Sequence, residues 1–281
     1  MKIHVILTNQ FECSGIAGIN IKKCVCLVID TIRAASTIAT MLGCGGVKVL
    51  IASDKRKALQ LKSIFNSFIL CGEEGGIAPE GFDYGNSPLD ISGINAAGKT
   101  FILMTTNGTK SILKIEMAKK IYVLSLLNLY STLDCAVKDA SVCNSDILFL
   151  CSGEKGKIAY DDAYTAGLAI KYLMTRPLSI EYSDTSKLVL GSAVSEQDIT
   201  SALEKSCSAR SLRSVGLGDD IAFLSQVNKY RVCPVLVRIS AQSKIEKFYI
   251  SNTKKHERTD SINDFFNLYG NEPLYYMKNN I

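Results

Sequence analysis

The residues best suited to chemistry lie in two short stretches. Cys71–Pro88, CGEEGGIAPEGFDYGNSP, sets Glu73, Glu74, Glu80 and Asp83 among glycines at 72, 75, 76, 81 and 85. Met104–Thr109, MTTNGT, is a hydroxyl-rich turn that closes the apolar run FILM. Carboxylates on a Gly-rich loop are hard oxygen donors suited to Mg²⁺. A strand-to-turn junction rich in Thr, Asn and Gly offers hydroxyls and backbone N–H groups to a phosphate. Together they point to metal-assisted phosphate chemistry, with Mg²⁺ as the expected cofactor.

Asp30, which ends CLVID, is the first candidate for metal ligand or nucleophile. It could equally cap a helix starting near Arg33. Glu73, Glu80 and Asp83 are candidate ligands or acid–base groups, because hydrolysis needs a proton taken from water or handed to the leaving alkoxide. The candidate metal set is Asp30, Glu73, Asp83 and Asp162, although an acid in a helix's first turn, like Asp162, is also what the helix dipole favours. Arg33 could clasp a phosphate, carboxylate or sulfonate through its fork, or sit in a surface salt bridge. Thr105, Thr106, Asn107, Gly108 and Thr109 would seat an anionic group, or form an ordinary turn and cap. Asn86 and Ser87 before Pro88 either contact substrate or stabilise an Asx-type turn. Ser152, Gly153 and Arg210 complete the expected substrate contacts. An attacking carboxylate and a metal-activated water are both compatible with these residues.

The elements that must position these groups alternate strand with helix. Apolar runs predict strands at 2–7, 24–30, 47–51, 67–71, 100–104, 120–125 and 146–151, with helices between them near 33–43, 54–64, 108–118 and 128–140. Such alternation with continuous apolar strands predicts an α/β fold, a layered α/β/α arrangement around a mostly parallel sheet. It reads as a single domain over 1–281, with a division into two lobes conceivable near 150–160. Ligands of such sheets bind beyond the carboxyl ends of the strands, where Asp30, Glu73, the Thr105–Thr109 turn and Ser152-Gly153 all fall. Farther on, a helix after Asp161-Asp162 carries a stripe of small residues fit for close packing. The polar stretch 183–199 is expected to be mobile. Helices follow near 196–206 and 208–228, then a closing strand pair at Val232–Ser240 and Lys247–Ile250, and the tail after Ser251 reads as peripheral.

With 281 residues and 47% hydrophobic content, the chain can bury a substantial core. A net charge of +5, spread along the sequence, lacks the concentrated basic patch with interleaved aromatics of a nucleic-acid binder. No stretch approaches the about 18 apolar residues of a membrane span. The start, MKIHVILTNQFE, reads as a strand and not as a signal peptide. Of the ten cysteines, Cys24, Cys26 and Cys151 sit inside apolar runs, the habit of reduced thiols in a cytoplasmic protein. With His4 and His256 as the only histidines and no CxxC pair, a zinc site is disfavoured. The expected partner is a small anionic phosphoester, with room for a homodimer and no role for nucleic acid or membrane.

Two motifs mislead. GINAAGKT, Gly93–Thr100, fits the G-x-x-x-x-G-K-[ST] pattern of a P-loop. That loop needs a buried strand before it and a helix after it, and here the order is inverted. Lys99 is therefore expected in a turn before a core strand. CSARSLRS, Cys207–Ser214, matches the C-x₅-R-[ST] of cysteine phosphatases, but its lead-in SALEKSC is helical and the motif has no glycine until Gly216. The rival functions are accordingly a P-loop nucleotide hydrolase and a non-catalytic protein that binds a phosphorylated metabolite.

Three blocks carry a more specific pattern. VIDTIRAASTI (28–38), GEEGGIAPEGFDYGNSP (72–88) and GKTFILMTTNGT (98–109) resemble, in order, the signature blocks of the 2-phosphosulfolactate phosphatase family. LCSGEKGKIAYDDAYTAG (150–167) and the weaker ARSLRSVGLGDDI (209–221) continue the likeness over about residues 25–235. The resemblance implies a layered α/β/α fold and a Mg²⁺-dependent conversion of 2-phospho-3-sulfolactate to 3-sulfolactate and phosphate, a step toward coenzyme M. Two positions depart from the family pattern: Glu74 stands where a basic residue is common, and Ala209 where Gly is.

Overall fold

In the computed structural model, which describes residues 1–11, 18–239 and 273–281, the apolar runs form one ten-stranded sheet. Its strands are β1 (Lys2–Ile6), β2 (Cys24–Ile29), β3 (Lys48–Ile51), β4 (Ile69–Gly72), β5 (Thr100–Met104), β6 (Lys120–Leu124), β7 (Asp146–Cys151), β8 (Glu181–Tyr182), β9 (Pro234–Ile239) and β10 (Leu274–Asn279). Strands such as β2, CVCLVI, and β5, TFILM, are buried along their whole length. Burial on both faces is why they read as continuous apolar runs.

The helices are α1 (Ala34–Gly43), α2 (Lys55–Ile64), α3 (Pro88–Ser92), α4 (Gly108–Lys114), α5 (Leu129–Val142), α6 (Tyr160–Met174), α7 (Asp184–Ser195), α8 (Ile199–Glu204), α9 (Cys207–Ser214) and α10 (Asp220–Leu224). They make two outer layers, because successive strand residues face opposite ways. Cys26 and Val28 of β2 pack with Ile38 and Met41 of α1 and Ile112 of α4. Val25, Leu27 and Ile29 pack with Leu133 of α5 and Ala166 and Ile170 of α6. Farther along, Leu50, Leu70 and Ile102 rest on Ala58 and Leu61 of α2. This is the expected α/β/α layering.

The order of strands is β4-β5-β3-β10-β9-β6-β2-β7-β1-β8. Within it, β4, β5 and β3 form one parallel block, and β6, β2, β7, β1 and β8 form another. β10 is antiparallel to β3 and to β9, and β9 is antiparallel to β6. The two blocks therefore run in opposite senses along the sheet. Six strand steps separate β4 from β2, and a twist of roughly 20–25° per step accumulates to about 120–150°. That rotation brings the carboxyl ends of the opposed blocks back toward one cavity.

Three expectations are corrected. Residues 183–199 are not an irregular stretch: most of them form α7, with the Ser186 N–H donating to the capping Ser183 hydroxyl. Gly167 of α6 admits this helix, since a Cβ there would lie 2.1 Å from the Val189 carbonyl oxygen. The helices expected at 196–206 and 208–228 are broken into α8, α9 and α10, with Ser206 capping α9 and Gly216 left-handed at φ 79°. The C-terminal residues are not peripheral, because β10 lies between β3 and β9 and buries Leu274, Tyr275, Tyr276 and Met277. A run of four consecutive apolar residues suits a strand covered on both faces. Lys247–Ile250 lies outside the described residues, and the strand that closes on β9 is β10. No helix among the described residues is long and apolar enough to cross a membrane.

Because β10 joins the two parallel blocks, deleting residues 273–281 should abolish the cooperative melt and the near-ultraviolet circular dichroism of the chain. A truncated protein that melts like the full-length chain would contradict the central position of this strand.

Candidate active site

One cavity of about 150 Å³ gathers the ends of both blocks, its wall including Asp30, Arg33, Glu73, Asn86, Thr106, Asn107, Asp161 and Asp162. Asp30 follows β2 directly and is buried. Its Oδ1 accepts the Ala34 N–H at 3.0 Å, so it does cap α1. Its Oδ2 faces the first turn of α4 so closely that a Cβ on Gly108 would lie 2.6 Å from it and 2.4 Å from the Ala34 Cβ. Asp30 thus both binds the first N–H of α1 and lines the cavity. Burial raises the Asp30 carboxyl from its ordinary 3.8 to about 7, and Asp161 and Glu73 push the same way against the Ala34 N–H and Arg33.

Asp161 and Asp162 open α6, and both are buried. Asp162 ties two strand ends together, accepting the Thr31 N–H at 2.8 Å on Oδ1 and the Gly153 N–H at 3.0 Å on Oδ2. Asp161 accepts the Ser208 hydroxyl at 2.8 Å. Burial pushes Asp161 up to about 6, even with that hydrogen bond. Burial, with Asp161 and Asp30 nearby, holds Asp162 well above the usual carboxylate range. Like charges this close in a dry setting disfavour full ionisation.

Glu73 latches the opposite wall. One of its oxygens accepts the Gly76 N–H at 2.9 Å and the other the Thr106 N–H at 2.6 Å. Arg33, also buried, donates to the Gly76 carbonyl at 2.8 Å and pairs with Asp220 at 3.3 Å. Ser87 donates to the other Asp220 oxygen at 2.6 Å and accepts the Asp90 N–H, capping α3. Burial raises the Asp220 carboxyl, with Ser87 and Arg33 opposing. Thr105 and Thr109 bond each other: Thr109 N–H donates to Thr105 Oγ1 at 3.0 Å, and Thr105 N–H to Thr109 Oγ1 at 3.1 Å. In the expected phosphate seat, the N–H groups of Asn107 and Gly108 are the ones with no acceptor among the described hydrogen bonds.

The structure therefore brings together Asp30, Arg33, Glu73, Asn86, Thr105, Thr106, Asn107, Gly153 and Asp162 on the cavity wall. Gly108 packs behind Asp30, while Ser87 and Thr109 support the wall from outside it. Ser152 is buried behind Gly153 with its hydroxyl unpartnered, as is the Asn86 Oδ1. Three expected residues lie elsewhere. Asp83, which should have been a ligand, is bound to Lys62 at 2.8 Å and to the Leu70 N–H at 2.8 Å. Glu80 is exposed off the wall. Arg210 is turned back on its own helix, donating to the Lys205 carbonyl and the Cys207 sulfur. Glu74 is exposed and off the wall too, so its charge does not line the cavity.

Four contributors were missed: Asp161, Ser208, Asp220 and the Glu154-Lys155 turn. Asp161 had the same sequence signal as Asp162, whereas Asp220 lies in the weakest of the five blocks and Ser208 falls just before it. Of the misleading motifs, Lys99 sits exposed in a turn closed by Gly98 N–H to Gly45 O and Lys99 N–H to Ala96 O, at the amino end of β5. Cys207 begins a helix rather than a phosphate loop.

Among the described residues, no three His, Cys, Asp or Glu side chains converge as a complete metal-ligand set. Mg²⁺ commonly takes only one or two protein carboxylates, keeping waters and sharing the substrate's phosphate oxygens. Hard oxygen donors with excess buried negative charge, and an Asp30 Oδ2 outside every described hydrogen bond, fit such an open site.

Buried carboxylates and a buried guanidinium thus share one pocket at the carboxyl ends of an α/β sheet, where folds of this class bind small ligands. The sequence model of 2-phosphosulpholactate phosphatase matches residues 14–238. A probable 2-phosphosulfolactate phosphatase of Pseudothermotoga lettingae is 35% identical over 227 residues, covering 76% of this chain and 89% of the relative. Proteins of the same description from Deinococcus radiodurans and Thermus thermophilus are 31% and 34% identical over 76% and 75% of this chain, and 88% and 87% of their own lengths. The chain belongs to the 2-phosphosulfolactate phosphatase family, whose members are phosphoric monoester hydrolases.

Two outcomes follow from this geometry. Gly108→Ala should displace α4 from Asp30 and lower both melting temperature and activity, whereas Gly191→Ala, with nothing near its added Cβ and no left-handed backbone, should spare activity; equal activity in both would contradict the close approach. A carboxyl raised from 3.8 to about 7 keeps a proton in the folded chain that the unfolded chain has lost. The resulting stability is whole below about pH 4 and lost as pH climbs through about 7. In metal-free protein, wild type should therefore lose melting temperature relative to Asp30→Asn as pH rises over that range. A constant difference between the two would rule out a shared buried charge.

Proposed function

We propose that this chain hydrolyses 2-phospho-3-sulfolactate to 3-sulfolactate and phosphate, with Mg²⁺, in a reducing cytoplasmic setting and as a step toward coenzyme M. The observation that carries the reading is the buried Asp30–Asp161–Asp162 group facing the Arg33 wall across one small cavity. Free thiols at every cysteine among the described residues support the compartment. Asp30 and Asp162 would hold the metal, which when bound acts as Lewis acid and template for the phosphate oxygens.

The chain's own residues supply the rest. Arg33, held by Asp220 and Gly76, presents its fork to an anionic oxygen without having to be ordered on binding. The N–H group of Asn107, a residue of the cavity wall, would meet the same group from the turn after β5. Asp161, fixed by the Ser208 hydroxyl and with its carboxyl near 6, exchanges a proton close to neutral pH, the property required of a group that protonates a leaving alkoxide. Glu73 keeps the Gly75-Gly76 turn and the Thr106 loop at a constant separation. A P-loop hydrolase finds no support, because Lys99 lies at the opposite end of β5 from Thr105.

Phosphate release from 2-phospho-3-sulfolactate should require Mg²⁺ and stop in excess chelator. Asp30→Asn and Asp161→Asn should each reduce turnover by at least ~100-fold with the fold intact by circular dichroism. Asp83→Asn and Lys99→Ala should remain near wild type. Full activity in chelator would remove the metal from the mechanism, and wild-type turnover in both cavity variants would displace the site.

A further inference from the structure

Two turns of the same backbone form flank the cavity. After β4, Glu74 and Ile77 exchange backbone hydrogen bonds at 3.0 and 3.5 Å around Gly75 (φ 63°) and Gly76 (φ 92°). After β7, Glu154 and Lys157 do the same at 3.0 and 2.9 Å around Lys155 (φ 50°) and Gly156 (φ 78°). Two consecutive left-handed residues are the mark of a type I′ turn, which favours Gly, Asn or Asp at both positions. The first turn has glycine at both. The second places a lysine where a Cβ is disfavoured.

That lysine is also electrically distinctive. Among the described residues, Arg33 and Lys155 are the two cations on the cavity wall, against the acids Asp30, Glu73, Glu154, Asp161 and Asp162. Arg33, held by Asp220 and the Gly76 carbonyl, is the cation that the phosphatase reading assigns to the phosphate end. Glu154, next to Lys155 in sequence, accepts the Ser211 hydroxyl at 2.7 Å. Lys155 is exposed, and among the described residues no ion pair or side-chain hydrogen bond engages its ammonium. A substrate that brings its phosphate to the Asp30 end carries a second strong anion that no other uncommitted cation of the wall can meet. A lysine stem on a rigid turn suits this task, with the Cα fixed and the ammonium free to reach.

We propose that Lys155 is a specificity-determining residue that binds the substrate's sulfonate at the cavity mouth. The assignment rests on the phosphatase reading for the identity of the substrate. Its test compares 2-phospho-3-sulfolactate with 2-phospholactate, which lacks only the sulfonate, in wild type, Lys155→Gly and Lys155→Arg. Glycine suits the left-handed backbone, so the first variant removes the charge without straining the turn. Lys155→Gly should raise KM for the sulfonated substrate by about tenfold or more, the scale of one charge-assisted contact, with kcat little altered. The KM advantage of that substrate over 2-phospholactate should collapse, and Lys155→Arg should retain it. An equal rise for both substrates, or no rise for either, would overturn the assignment. If wild type hydrolyses neither compound, the phosphatase reading fails on its own, and calorimetric titration with 3-sulfolactate then decides Lys155. Binding by wild type that is lost in Lys155→Gly upholds it; absent or unchanged binding refutes it.

Discussion

Asp30, Asp161 and Asp162 are gathered under the ends of β2 and β7, where water cannot separate their charges. Asp162 does so at the cost of both its oxygens, which bind the N–H groups of Thr31 and Gly153 and so set the spacing of the two strand ends. With those ends in place, Asp30 must lie beside α6, and α1 must begin under its carboxylate. Buried like charges are tolerated only when protons, hydrogen bonds or a cation offset them. This chain supplies backbone N–H groups to Asp30 and Asp162 and a hydroxyl to Asp161, and the remaining repulsion keeps the group ready for a proton or a hard cation.

The opposite wall obeys a different rule. Its carboxylates are occupied by internal bonds: Glu73 binds two backbone N–H groups and Asp220 binds Ser87 and Arg33. These acids act as ties, holding the Gly-rich loop, the Thr106 turn and the guanidinium as one unit. Arg33 is thereby neutralised in part but fixed in direction, which lowers the ordering cost of binding an anion. A pocket with one buried carboxylate cluster and one rigid wall that fixes a guanidinium can orient a phosphoester between them.

The sheet makes this meeting possible by an indirect route. Two parallel blocks of opposite sense are joined through β9 and β10, and their cumulative twist turns both sets of carboxyl ends inward. The turn after β5 then crosses to β2, with Gly108 lacking the Cβ that would strike Asp30. Few residues carry this arrangement: the seam between β9 and β6 rests on the single register pair Tyr122 with Val235.

Much of this was legible in the residue order, because local physics writes it there. Continuous apolar runs predicted every strand of both blocks except the two-residue β8, and the three long signature blocks led to Asp30, Arg33, Glu73 and the Thr105–Thr109 turn, and to the family itself. Acid type and loop setting could not say which carboxylates would face inward. Asp83 and Glu80 share the loop of Glu73, yet Lys62 draws Asp83 away. Asp161 and Ser208 are 47 positions apart, and Arg33 and Asp220 are 187, distances across which no periodicity carries information. The role of β10 was hidden for the same reason: an apolar tail shows its tendency to form a strand, but not the gap between β3 and β9 that awaits it. Sequence by itself determined the elements and the chemical kind of the site, since propensity and burial are properties of short segments. Only the tertiary structure decided which acids share the cavity and which merely hold it open, since that depends on long-range packing and on the hydrogen bonds left to each oxygen.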